Sequence, residues 1–143
     1  MPVVAFYNNS SNADLQNEWE TRLQVHYPLI RLVPLLSDQA ENAITALLWK
    51  APLERVKDLN NLKGLISLGQ GVDHILKDNI IDKKIPVVRI VDPFMAKSMS
   101  HWVIMSILNF TRDTFGYHNQ QKNKIYNNRK EINFTTLKIA VYG

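Results

Sequence analysis

Five short apolar runs, each closed by turn-forming or polar residues, recur along the first two-thirds of this chain. They are Val3–Tyr7, Leu29–Val33, Ile44–Trp49, Leu62–Leu68 and Val87–Val91. Val3–Tyr7 is continuously apolar and the other four are mostly apolar, interrupted at Arg31, at Thr45, at Lys63, Gly64 and Ser67, and at Arg89; such runs suit buried strands. The segments between them carry helical spacing. Ser11 and Asp14 stand at capping-box distance, with Asp where Glu is usual, and Leu15, Trp19 and Leu23 follow on one helical face before Pro28. Ser37–Asn42 is polar and reads as a short helix or loop, Leu53, Val56 and Leu59 mark a short helix, and Val72–Lys77 is another. Strands alternating with short helices predict an α/β fold, a parallel sheet with the flavodoxin-like strand order 2-1-3-4-5. Ligands of such sheets sit beyond the carboxyl ends of the strands, so Tyr7-Asn8, Trp49-Lys50 and Gly69-Gln70-Gly71 are expected to converge.

A longer segment follows. Asp92-Pro93 offers a cap with proline at the first helical position, and a helix is expected from Phe94 to about Phe115. Its apolar residues, from Met95 and Met99 through Trp102 to Phe110, make a stripe too wide for a half-exposed helix. Burial between layers and a place in a subunit interface are both expected of it. Beyond a polar stretch, Leu137–Gly143 reads as a sixth strand.

Bulk properties exclude several classes. The 143 residues contain no cysteine, which rules out disulfide and thiolate chemistry and fits a cytoplasmic protein. No apolar run is long enough to span a bilayer, and the N-terminus lacks the basic start of a signal peptide. The net charge of +4 is spread along the chain. Its densest cluster, Lys122, Lys124, Arg129 and Lys130 among asparagines and tyrosines, has the composition of a nucleic-acid patch but reads better as a solvated connector, and no nucleic-acid partner is expected.

The clearest local motif is Ser67-Leu-Gly-Gln-Gly-Val-Asp-His74: a strand, a glycine-rich turn and a helix start. Such a turn suits a carboxylate or a phosphate. A dinucleotide fingerprint is a competing reading, with Asp92 at about the ribose-binding distance, but its third glycine position falls on His74. A tight turn without a ligand is the third. Asp73 and His74 invite acid–base chemistry, yet no partner of matching chemistry is visible, and Asp73 serves a helix start equally well. The four histidines lack metal-ligand spacing, so no metal is expected. Trp49, at a strand end, is either core or a wall of the crevice.

These residues resemble D-2-hydroxyacid dehydrogenases of the glyoxylate/hydroxypyruvate reductase A type. Ala46-Leu-Leu-Trp-Lys-Ala-Pro52, Leu62-Lys-Gly-Leu-Ile-Ser-Leu-Gly-Gln-Gly-Val-Asp-His74, Pro86-Val-Val-Arg-Ile-Val-Asp92, the helix from Met99 to Leu108, Gln120-Gln121 and Leu137-Lys-Ile-Ala-Val-Tyr-Gly143 follow the family's order and spacing. The resemblance implies a flavodoxin-like substrate domain over 1–93, a long helix and connector of the dimerisation region over 94–133, and over 134–143 the first strand of a truncated Rossmann domain. It implies reduction of small 2-oxo acids, such as glyoxylate or hydroxypyruvate, with NADPH or NADH. Gln70, Gly71 and Val72 would hold the substrate carboxylate and Trp49 would line the pocket. Gly143 would begin the cofactor motif, and the Met95–Phe110 helix would form a homodimer. Three departures stand out. Gln70 replaces the usual alanine, Met99-Ser-His-Trp102 loses an acidic residue, and the chain stops at Gly143. No catalytic residue maps onto the chain, so by itself it is expected to be inactive and to bind no cofactor tightly. The alternative is a non-enzymatic small-carboxylate-binding or dimerisation module.

Overall fold

The computed structural model describes residues 1–10, 14–129, 132, 133 and 135–142. The chain divides into two compact units, Met1–Val91 and Asp92–Gly143.

The first unit is built on five parallel strands: β1 (Val3–Asn8), β2 (Arg31–Pro34), β3 (Thr45–Trp49), β4 (Gly64–Ser67) and β5 (Val87–Arg89). Their order is β2-β1-β3-β4-β5, as the sequence predicts. The crossovers carry α1 (Leu15–Gln24), a 3-10 turn (Asp38–Asn42), α2 (Leu53–Lys57) and α3 (Asp73–Leu76). Ser11, the expected capping residue of α1, lies outside the described residues.

The two-residue period of a strand splits the apolar runs between two cores. Val4 and Phe6 of β1 and Leu47 of β3 pack beneath Leu15, Trp19 and Leu23 of α1. Phe6 and Trp19 meet with ring centroids 6.4 Å apart. Ala5, Ala46, Leu48 and Leu65 face the other way, onto Leu53 and Val56 of α2 and Ile75 of α3. Alanine at the centre of β1 and β3 lets α2 and its neighbours approach closely, and Ala5, Ala46, Leu48, Leu65 and Ile75 are wholly buried. The central strands therefore carry apolar residues at successive positions, because both of their faces meet side chains.

The second unit departs from the sequence reading in two ways. A single helix to about Phe115 is expected, but α4 spans Pro93–Thr111 and α5 spans Thr114–Lys122. The chain breaks at Asp113, whose backbone is left-handed at φ 47° and ψ 47°. Asp tolerates that region because its short side chain bonds locally. Here the carboxylate caps α5 by accepting from the Gly116 N–H at 3.2 Å. A β-carbon at Gly116 would overlap that carboxylate. Arg129 pairs with Asp113, and its N–H donates to the Tyr117 hydroxyl at 3.1 Å.

Burial between layers is the second correction. Thr111 alone is buried among the residues of α4, whereas Phe94, Met99, Trp102 and Phe110 are exposed. The sixth strand is expected over Leu137–Gly143. Residues 137–142 pair with no strand, and Ile139, Val141 and Tyr142 are exposed. Gly143 lies outside the described residues.

Candidate functional site

The carboxyl ends of β1, β3 and β4 come together as the switch-point rule requires. Asn8 of β1 stands opposite Trp49 of β3, and the Asn9 N–H donates to the Trp49 carbonyl at 3.2 Å. Leu48 stands opposite Ser67 of β4, and the Leu68 N–H donates to the Leu48 carbonyl at 3.0 Å. Lys50 turns out of β3 with a left-handed φ of 51°.

Beyond β4 the chain makes the Gly69-Gln70-Gly71 turn. Ser67 organises it from below. Its wholly buried hydroxyl donates to the Gly71 carbonyl at 2.7 Å and accepts from the Gly69 N–H at 3.2 Å. One side chain therefore closes the turn at both ends. Neither glycine has a positive φ. Close approach demands smallness at Gly69, where a β-carbon would run into the Trp49 indole, whereas one on Gly71 would have only to displace the outer end of the Asp73 carboxylate.

Trp49 is half-buried and held on two further sides. The His74 ring meets it edge-on at 4.9 Å between centroids, and the Lys50 ammonium lies 5.7 Å from the indole centroid. His74 in turn is tied to the sheet by its Nε2, 3.3 Å from the Leu48 carbonyl. A carbonyl only accepts, so this bond requires the ring proton on Nε2. Arg89, the last residue of β5, donates from Nη1 to the Gln70 carbonyl at 3.1 Å.

Trp49, Gln70, Gly71 and Val72 thus lie in one neighbourhood: the indole rests on Gly69, and the other three continue the same turn. Ser67 and Arg89 join them and were not singled out in the sequence. The signal for Arg89 was a lone cation closing an apolar strand. Ser67 carried none, since a serine in an apolar run is unremarkable until its hydroxyl is seen to bridge a turn.

The same geometry argues against a dinucleotide at this turn. A pyrophosphate needs a bare glycine backbone to approach and a helix of some length behind it. Gly69 is covered by Trp49, and α3 has four residues. Among the described residues no group of histidines and carboxylates is arranged to hold a metal ion, and no helix is long and apolar enough to cross a membrane.

No family model matches the chain. Individual proteins do. Glyoxylate/hydroxypyruvate reductase A of Yersinia enterocolitica is 27% identical over 145 residues, covering 98% of this chain and 45% of the relative. The Serratia proteamaculans protein of the same name is 27% identical over 140 residues, covering 92% and 44%. The D-isomer specific 2-hydroxyacid dehydrogenase of Xanthobacter autotrophicus, solved with NADPH and MES, superposes with a TM-score of 0.69 at 27% identity, over 92% of this chain and 42% of that one. The chain resembles the N-terminal part of D-2-hydroxyacid dehydrogenases. It spans slightly under half the length of the curated relatives it matches. The NADPH-dependent glyoxylate/hydroxypyruvate reductase of Sinorhizobium meliloti, solved with NADP and sulfate, shares the fold at a TM-score of 0.69 and 23% identity.

Proposed function

We propose that this chain is the substrate-domain portion of an NAD(P)-dependent 2-hydroxyacid dehydrogenase that reduces small 2-oxo acids such as glyoxylate or hydroxypyruvate. The backbone of Gln70, Gly71 and Val72 receives the substrate carboxylate, and Trp49 forms a wall beside it. The nicotinamide supplies the hydride, and this chain's part is to bind and orient the acid. NADPH or NADH belongs to residues outside the described turn. Gly143 is the proposed start of the cofactor motif, with residues 1–93 as substrate domain, 94–133 as the long helix and connector of the dimerisation region and 134–143 as the first strand of the nucleotide-binding domain.

The observation that carries this is the Ser67-braced turn at the carboxyl end of β4 beneath Trp49, in a chain that aligns over 98% of its length with a glyoxylate/hydroxypyruvate reductase A. Titrating the 15N-labelled 143-residue chain with sodium glyoxylate tests it. Saturable shifts centred on the Gly71 and Val72 amides are expected. Shifts scattered over surface lysines, or none, would refute the assignment.

A homodimer through the Met95–Phe110 helix is the proposed assembly. The exposed Met99, Trp102, Met105 and Leu108 support it, since apolar residues clustered on one helix mark an interaction surface. The same face favours the alternative of a dimerisation module without enzymatic partners. Light scattering of the wild type and of Leu108→Glu tests the interface. A dimer that Leu108→Glu converts to monomer is expected, and a wild-type monomer at all concentrations refutes it.

A further inference from the structure

Two consecutive peptide groups of the turn are held by their carbonyls. Arg89 donates to the Gln70 carbonyl and Ser67 to the Gly71 carbonyl. A trans peptide is planar, with its N–H directed opposite to its C=O, and no peptide bond among the described residues is cis. Fixing the Gln70 carbonyl therefore fixes the direction of the Gly71 N–H, away from Arg89. Fixing the Gly71 carbonyl likewise directs the Val72 N–H away from the buried Ser67 hydroxyl. The two bonds come from different strands: Arg89 closes β5 in register with Ser67 on β4.

Arg89 is not where a packing residue would be. Its side chain is exposed on an edge strand, and among the described residues it forms no ion pair. Its bond to the Gln70 carbonyl reaches back to a residue 19 positions earlier in the sequence. A guanidinium bound to a carbonyl also polarises that peptide and strengthens the N–H on its far side as a donor.

We propose that Arg89 is a positioning residue: by clamping the Gln70 carbonyl it aims and strengthens the Gly71 N–H as a donor to the carboxylate of a 2-oxo acid. The proposal rests on the carboxylate role given to the turn above. Arg89 does not touch the acid, because it holds the opposite side of the peptide. Ser67 performs the same office for the Val72 N–H from within the core.

The test compares wild type with Arg89→Met, which has no donor, and Arg89→Lys, which keeps one. In the ligand-free protein, the Gly71 amide proton resonance is expected to move upfield in Arg89→Met and to stay near the wild-type position in Arg89→Lys. Glyoxylate affinity from the amide titration is expected to fall about tenfold in Arg89→Met, the loss typical of one charge-assisted hydrogen bond, and at most about threefold in Arg89→Lys. The melting temperature, unlike the Gly71 shift, is expected to hardly change, which separates positioning from general stability. Unchanged affinity in Arg89→Met, or an unmoved Gly71 resonance, overturns the role of Arg89 while leaving the turn as the carboxylate site. Absence of glyoxylate binding in the wild type, by contrast, overturns both.

Discussion

The His74 ring meets the Trp49 indole edge-on, with 4.9 Å between centroids and 63° between planes. A residue with the outward marks of an acid–base group is thus engaged in holding the wall of the candidate site. Its Nε2 is committed to the Leu48 carbonyl and its ring to the indole. His74→Ala should cost about 1–2 kcal/mol, combining an aromatic contact of ~0.5–1.5 kcal/mol with a modest hydrogen bond. Urea denaturation of His74→Ala, Trp49→Leu and the double variant measures the coupling. Additive losses would mean that the two rings do not support one another.

Gly69 sits so close to Trp49 that a methyl group cannot be added without moving the indole. Gly69→Ala should destabilise by about 1–3 kcal/mol, as overpacking does. Its φ is not positive, so the penalty is steric and should largely disappear in a Trp49→Leu background. A penalty that persists there would place the cause in the backbone.

Ser67→Ala removes the hydroxyl that closes both ends of the turn and leaves the Gly71 carbonyl without that donor. A loss of about 1–3 kcal/mol is expected for such a buried group. Hydrogen exchange at the Gly69 amide should accelerate along with it. Wild-type exchange there would show that the turn holds its shape without Ser67.

How much of this was legible beforehand differs from element to element. The parallel sheet and its order followed from five apolar runs alternating with short helices, because such crossovers leave a sheet covered on both faces with the flavodoxin-like arrangement. The gathering of Trp49 with Gln70, Gly71 and Val72 followed from the same topology. The break at Asp113 was missed, although Asp113-Thr-Phe-Gly116 offers an acidic cap and a glycine where the cap closes. Apolar periodicity through Phe110 and Phe115 outweighed that local signal. The composition of 137–142 suits a ladder but says nothing of which edge it would join.

The sequence by itself determined the parallel α/β sheet and the place of a glycine-rich turn at the end of β4. Hydrophobic period and turn chemistry are local properties, written residue by residue. Only the tertiary structure decided why Gly69 must be small, which hydroxyl braces the turn, and that Arg89 reaches the Gln70 carbonyl. Each of these depends on side chains from different strands meeting at the sheet's carboxyl edge, a distance in space that no spacing along the chain encodes.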